Sequence, residues 1–203
     1  MDDTYKTIST SSEGIFKDKG SKFLAYAFPV ESEMEVKEIL AQIKKDHHSA
    51  RHHCYAWRIG SKNPSYRAND DGEPSSTAGK PILGQLLSYD LTNILVIVVR
   101  YFGGTLLGTS GLINAYRTAT ITALQNADIE TRTIEELIKI QFSYPEMNAV
   151  MQVIKQENLN IINTVFELNC QVDITVRESE VNKIVEIFNS IPKVTLIRTN
   201  EDE

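Results

Sequence analysis

Cysteine is almost missing from this chain. Cys54 and Cys170 are the only two. They stand far apart and in no C-x-x-C spacing, which excludes a disulfide framework and a cysteine-based zinc or redox motif. Two buried thiols in a reducing cytoplasm is the expectation. Long apolar runs are also missing: none approaches the roughly 20 residues that a membrane-spanning helix needs. The opening MDDTYKTIST is acidic and polar, unlike a secretory signal. A cytoplasmic chain with no membrane partner is expected. A basic excess is lacking as well, since the net charge is −6, and this argues against wholesale nucleic-acid binding through a basic surface. There is no internal repeat and no low-complexity segment.

The 203 residues, 41% hydrophobic and 24% charged, suit one large or two small domains at roughly 100–200 residues each. Charge is unevenly placed. Lys44, Lys45, Arg51, Arg58, Lys62 and Arg67 face a single acid, Asp46, and His47, His48, His52 and His53 share that window. It reads as the one strongly cationic stretch of an acidic protein. Acids gather in 31–38, 70–73, 128–136 and the tail Glu201–Glu203.

The pattern predicts a strand over Phe23–Val30. Ser32-Glu33-Met34-Glu35 then forms a capping box that opens a helix with Val36, Ile39, Leu40 and Ile43 on one stripe. His53–Ile59 alternates as a strand, with His53, Tyr55 and Trp57 on one face and Cys54, Ala56 and Arg58 on the other. Residues 60–79 are rich in Gly, Ser, Pro, Asn and Asp and read as one long surface loop. Ile82, Leu83, Leu86 and Leu87 mark a short helix that tolerates Pro81 in its first turn. The second half reads β-α-β-β-α-β: strands at 135–143, 161–166, 170–176 and 194–198, a helix opened by Pro145 and a helix capped by Ser179. A domain boundary is expected near residues 128–133, giving domains 1–130 and 131–203.

Residues 70–120 carry the most chemistry. The apolar run Ile94–Val99 is that of a strand covered on both faces. It ends at Arg100-Tyr101-Phe102 and the glycines Gly103, Gly104, Gly108 and Gly111, before a helix with Leu112, Ala115, Tyr116, Ala119 and Ala123 inward. Strand ends of open α/β sheets commonly hold ligands. The glycines either shape a tight turn, bind an anion at the helix N-terminus, or serve catalysis. Gly103-x4-Gly108 lacks the lysine of a P-loop. Asp70, Asp71 and Glu73 would hold Mg²⁺ or form a solvated Asx turn, or else Asp70 or Asp71 would pair with Arg100 or Lys80. The histidines invite zinc, but His48 and His52 straddle a helix-to-strand change and lack a third ligand, so no metal is expected. Ser75, Ser76 or Ser110 could join a histidine and Asp70 or Asp71 as a triad, yet no G-x-S-x-G elbow is present.

Several stretches resemble one family. DDGEPSSTAGKPIL and VVRYFGGTLLGTSGLINAY, with KGSKFLAYAFPV and HSARHHCYAWRIG before them, are similar to the IMPACT family, which includes bacterial YigZ and eukaryotic Impact proteins. The resemblance covers nearly the whole chain. It implies an α+β protein of two domains. The first would be a ribosomal-protein-like β-α fold, as in domain IV of elongation factor G. The second would be a ferredoxin-like domain similar to that factor's last one. It also implies a link to translation, because eukaryotic members act in translational control.

These readings converge on a translation-associated binding protein without a cofactor. It would contact RNA, the ribosome or a regulatory protein through an N-domain cleft. The expected ligand-binding residues are Arg51, His53, Asp70, Asp71, Glu73, Lys80, Arg100, Tyr101, Gly103, Gly104, Gly108 and Ser110. Arg51 and Arg58 would meet phosphates, with base stacking on whichever of Tyr55 and Trp57 does not face the core, the fate expected first for Trp57. The alternative is an enzyme acting on a small phosphorylated or nucleotide ligand held by the glycine-rich loop.

Overall fold

The structure is a computed structural model that describes residues 3–167 and 169–199. The acidic tail Glu201–Glu203 lies outside the described residues. The chain divides into two compact units, Tyr5–Arg132 and a second made of Met1–Thr4 with Thr133–Glu203.

The first unit is built on a five-stranded sheet. Its strands are β2 (Ser12–Asp18), β3 (Ser21–Pro29), β4 (His52–Ile59), β5 (Ser65–Asn69) and β6 (Ile94–Tyr101), in the order β2-β3-β6-β4-β5. Every pairing is antiparallel. The carboxyl-edge rule of parallel α/β sheets therefore does not locate a site here. β1 (Thr4–Ile8) and β7 (Ile129–Thr133) pair separately.

β6 is central because its side chains are apolar on both faces. Ile94, Val96 and Val98 pack with helices α2 (Gly79–Ser88) and α3 (Gly108–Gln125). Leu95, Ile97 and Val99 pack with α1 (Glu33–Asp46). The layers are thus α1, sheet, α2 and α3. Ser32 caps α1 as its spacing requires, accepting from the Glu35 N–H at 3.3 Å. Glu35 completes the box one residue early, accepting from the Glu31 N–H at 2.9 Å.

Two readings need correction. Residues 60–79 are not one loop, because Ser65–Asn69 adds an edge strand whose side chains are exposed or half-exposed. Trp57 faces the core as expected, at 4% exposure, but Tyr55 also packs beside it under α1, so the stacking surface is lost.

The second unit contains β8 (Glu135–Phe142), α4 (Met147–Gln156), β9 (Asn160–Phe166), β10 (Cys170–Arg177), α5 (Val181–Asn189) and β11 (Thr195–Thr199), with short 3-10 turns before each helix. The sheet order is β11-β8-β10-β9, and the pairings are antiparallel. One face carries Ile138, Ile140, Val172 and Ile174 against Val150, Ile154, Ile184 and Phe188. Ser179 is not a cap by its side chain. Its backbone N–H instead donates to Asp3 Oδ2 at 3.3 Å. Asp3 also takes two bonds from Arg177, at 2.6 and 2.8 Å. These bonds hold the Asp3 carboxyl well below the usual carboxylate range.

Candidate functional site

Arg100 and Tyr101 are neighbours at the end of β6, so their side chains leave opposite faces of the sheet. This splits the single cleft expected from the sequence into two.

On the α2/α3 face, Arg100 is buried and its Nη1 donates to Glu73 Oε1 at 2.6 Å. The Tyr116 hydroxyl donates to the same oxygen at 2.7 Å. Cys54 Sγ lies 3.3 Å from that hydroxyl and 3.0 Å from the Asp70 carbonyl oxygen. Burial pushes the Cys54 thiol and the Tyr116 hydroxyl well above their ordinary values. Both stay protonated at neutral pH, so Cys54 is no nucleophile. The guanidinium of Arg100 lies 5.6 Å from the ring centroids of both Phe23 and Phe102, a cation–π sandwich.

The acids of the 70–80 loop are all engaged within the protein. Asp70 Oδ1 accepts from the Ala78 and Gly79 N–H groups at 3.0 and 2.8 Å, and Oδ2 accepts from Ser76 N–H at 2.8 Å. It thereby puts a negative charge on the N-terminus of α2. Asp71 Oδ2 accepts from the His53 N–H at 2.7 Å, and Oδ1 lies 3.4 Å from Lys44 Nζ. The expected partners of Asp70 and Asp71, Arg100 and Lys80, are corrected: Arg100 pairs with Glu73, and Lys80 is exposed on α2. Among the described residues, no group of three or more His, Cys, Asp or Glu is placed to hold a metal ion.

On the α1 face, His47 bridges two tyrosines, with Nε2 2.9 Å from the Tyr26 hydroxyl and Nδ1 2.9 Å from that of Tyr101. His53 is buried at 6% exposure, its Nε2 3.2 Å from the His47 carbonyl oxygen. Burial lowers its pKa. It cannot face a ligand as expected. His52 Nδ1 bonds the Asp71 carbonyl oxygen at 2.9 Å. The rings of His47, His52 and His53 therefore serve the scaffold rather than a serine.

The glycine stretch is shorter than expected because α3 already begins at Gly108, which places Ser110 and Gly111 in its exposed first turn. Gly103 is a point of close approach. A Cβ there would run into the backbone of Gly20 and Ser21, and its N–H donates to Ser21 Oγ at 3.1 Å. Gly104 and Gly108 take φ of 89° and 69° in open backbone. Arg51 is exposed just before β4. Arg58 lies at the other end of that strand, about 23 Å away at roughly 3.3 Å per residue, and pairs with Asp90 at 3.3 Å. The cationic window is dispersed, not a patch.

Sequence reading missed a groove of about 510 Å³ lined by Ile15, Lys17, Lys22, Leu24, Tyr101 and Phe102, with Gly20 at its end. The signal for it was Lys17-Asp18-Lys19-Gly20-Ser21-Lys22, three lysines around a Lys-Gly turn. Sequence reading also missed Tyr116, which looks like an ordinary core residue in a helical stripe.

Residues 19–124, which contain both faces of β6 and the 70–80 loop, match the Impact N-terminal domain. An IMPACT family member of Haemophilus influenzae is 35% identical over 85% of this chain and 82% of its own length. The chain belongs to the IMPACT family. Family member YvyE of Bacillus subtilis is 31% identical over 90% of the chain and 84% of its own length. YigZ of Escherichia coli is 35% identical over 78% and 77%. A crystal structure described as a hypothetical protein superposes over all of both chains at TM-score 0.75 and 26% identity. The family's eukaryotic side is represented by the Protein IMPACT homolog of Saccharomyces cerevisiae, 38% identical over 49% of this chain and 39% of that protein. What reaches across to this yeast relative is thus about half of the chain.

Proposed function

We propose that this family member is a translation-associated binding protein whose first unit carries the contact surface for RNA or the ribosome. The observation that carries the reading is the engagement of the motif residues. Asp70 takes three backbone N–H groups, and Glu73 takes Arg100 and Tyr116. Side chains committed in this way are scaffold, and they hold a surface in place rather than turning over a substrate. The enzyme alternative would need these groups free to take up a proton or a phosphate.

The link to translation is inferred from the family, whose eukaryotic members act in translational control. Fold analogy supports it. The β-α-β-β-α-β order with strand order β11-β8-β10-β9 supports a ferredoxin-like reading of the second unit. We infer a ribosomal-protein-like β-α fold for the first unit, both folds being shared with elongation factor G.

A second reading, a regulatory protein partner, is supported by β9. This edge strand exposes Ile161, Ile162, Val165 and Phe166 at 37%, 56%, 39% and 54%. Exposed edges of that kind invite pairing with another chain.

Sedimentation through sucrose with purified ribosomes tests the first reading. Co-sedimentation is expected at low salt, with release as salt rises and counterions compete for phosphate. A chain left in the supernatant at low salt contradicts it. A thermal-shift screen with nucleotides tests the enzyme alternative, since a ligand at 100 times its Kd adds about 2.7 kcal/mol.

A further inference from the structure

We propose that the groove on the α1 side of the sheet, along β2, β3 and the end of β6, binds single-stranded RNA, with Lys17 and Lys22 on the phosphates and Phe102 under a base. The inference rests on the RNA reading above and names its site.

Lys17 and Lys22 are direct partners in the β2–β3 register, and Lys22 is in turn the partner of Tyr101 on β6. The three stand in one row about 10 Å wide, at roughly 4.8 Å per strand. Like charges directly opposite each other destabilise a sheet. Here the repulsion is not relieved, because among the described residues no carboxylate pairs with Lys17, Lys22 or the turn residue Lys19. Glu13, on the same face of β2, is separated from Lys17 by Ile15. A bound phosphate supplies the missing negative charge.

The aromatic part is held from below. Phe102 is 55% exposed, and its ring carries the guanidinium of Arg100, which Glu73 fixes. Gly103 abuts Gly20, so the lysine turn and the aromatic strand end are locked side by side. The 70–80 loop thereby acts on the groove from the far face of the sheet, since Glu73 positions Arg100 and Arg100 positions Phe102.

An exposed ring beside cations suits an unstacked base with its backbone. A duplex keeps its bases stacked inside and would use only the lysines. The apolar floor of Ile15 and Leu24 adds contact that a free phosphate would leave unused.

The test is fluorescence anisotropy with a labelled oligouridine RNA of about 12 nucleotides, starting near 50 mM salt, on the full chain. Lys17→Glu with Lys22→Glu is expected to weaken binding at least roughly tenfold and to lower the salt slope by about 1.4, at roughly 0.7 per phosphate on a single strand. Phe102→Ala is expected to weaken binding roughly tenfold with the slope unchanged. The single change Lys17→Glu creates an opposite-charge pair with Lys22. It should raise the melting temperature while lowering RNA affinity, which a merely structural role would not do. Undiminished binding by the double variant overturns the site. If wild type and double variant then sediment with ribosomes alike, the translation reading stands alone. Absence of oligouridine binding and of ribosome binding in the wild type overturns both. Tighter binding to duplex DNA, or equal competition by an acidic peptide or a mononucleotide, overturns the single-strand assignment.

Discussion

Arg100 Nη1 lies 2.6 Å from Glu73 Oε1, and both side chains are buried, at 7% and 3% exposure. The pair joins two stretches 27 residues apart. Removing one partner of a buried pair leaves an uncompensated charge and costs about 3–5 kcal/mol. Glu73→Gln should therefore lower the denaturation midpoint strongly. Replacing both, as Glu73→Leu with Arg100→Met, should restore part of the loss. Urea melts of the wild type and the two variants check this.

Gly79 and Gly84 lie on the same helix, yet substitution should act with opposite sign. A Cβ on Gly79 would sit 2.5 Å from the Asn69 backbone nitrogen, whereas one on Gly84 meets nothing within 4 Å. Gly84→Ala should stabilise by about 0.5–1 kcal/mol through helix propensity. Gly79→Ala should destabilise. Thermal melts of both single variants give the comparison.

His53 sets a pH dependence. Burial lowers its folded pKa below the ordinary 6.5. The unfolded chain therefore binds a proton more readily, and stability is lost as pH falls from about 6.5 toward the folded value. His53→Gln should flatten the stability curve in that window. An unchanged slope between wild type and variant would contradict the buried neutral imidazole.

The second unit is expected to fold alone. A fragment from Thr133 to Glu203 should show one cooperative thermal transition. Adding Asp3 in trans is not expected to rescue the N–H of Ser179, so the fragment should melt below the corresponding transition of the full chain. A non-cooperative melt would contradict the division.

Much of the fold could be read from local pattern. The run Ile94–Val99 is apolar at every position because α1 covers one face of β6 and α2 and α3 the other. The box Ser32–Glu35 starts α1, and the stripe Val181, Ile184, Phe188 makes α5. β2 and β5 were illegible for a physical reason. β2 turns Ser12 and Gly14 inward and leaves Ile15 in the open, so its burial alternates while its hydrophobicity does not, and β5 is an edge strand with no buried side chain. At the site, the sequence brought Arg100 and the acidic loop together but chose the wrong acid. Which carboxylate reaches the guanidinium depends on Asp70 and Asp71 being engaged by backbone N–H groups, which composition does not record. The lysine pair was hidden because Lys17 and Lys22 become neighbours only through the β2–β3 register.

Ultraviolet crosslinking of RNA substituted with 4-thiouridine, followed by mass spectrometry of the crosslinked peptides, tests the placement of the contact surface most directly. Crosslinks are expected on Tyr101, Phe102 and the Lys17–Lys22 turn. Crosslinks confined to β5, or to the unit that begins at Thr133, would contradict it.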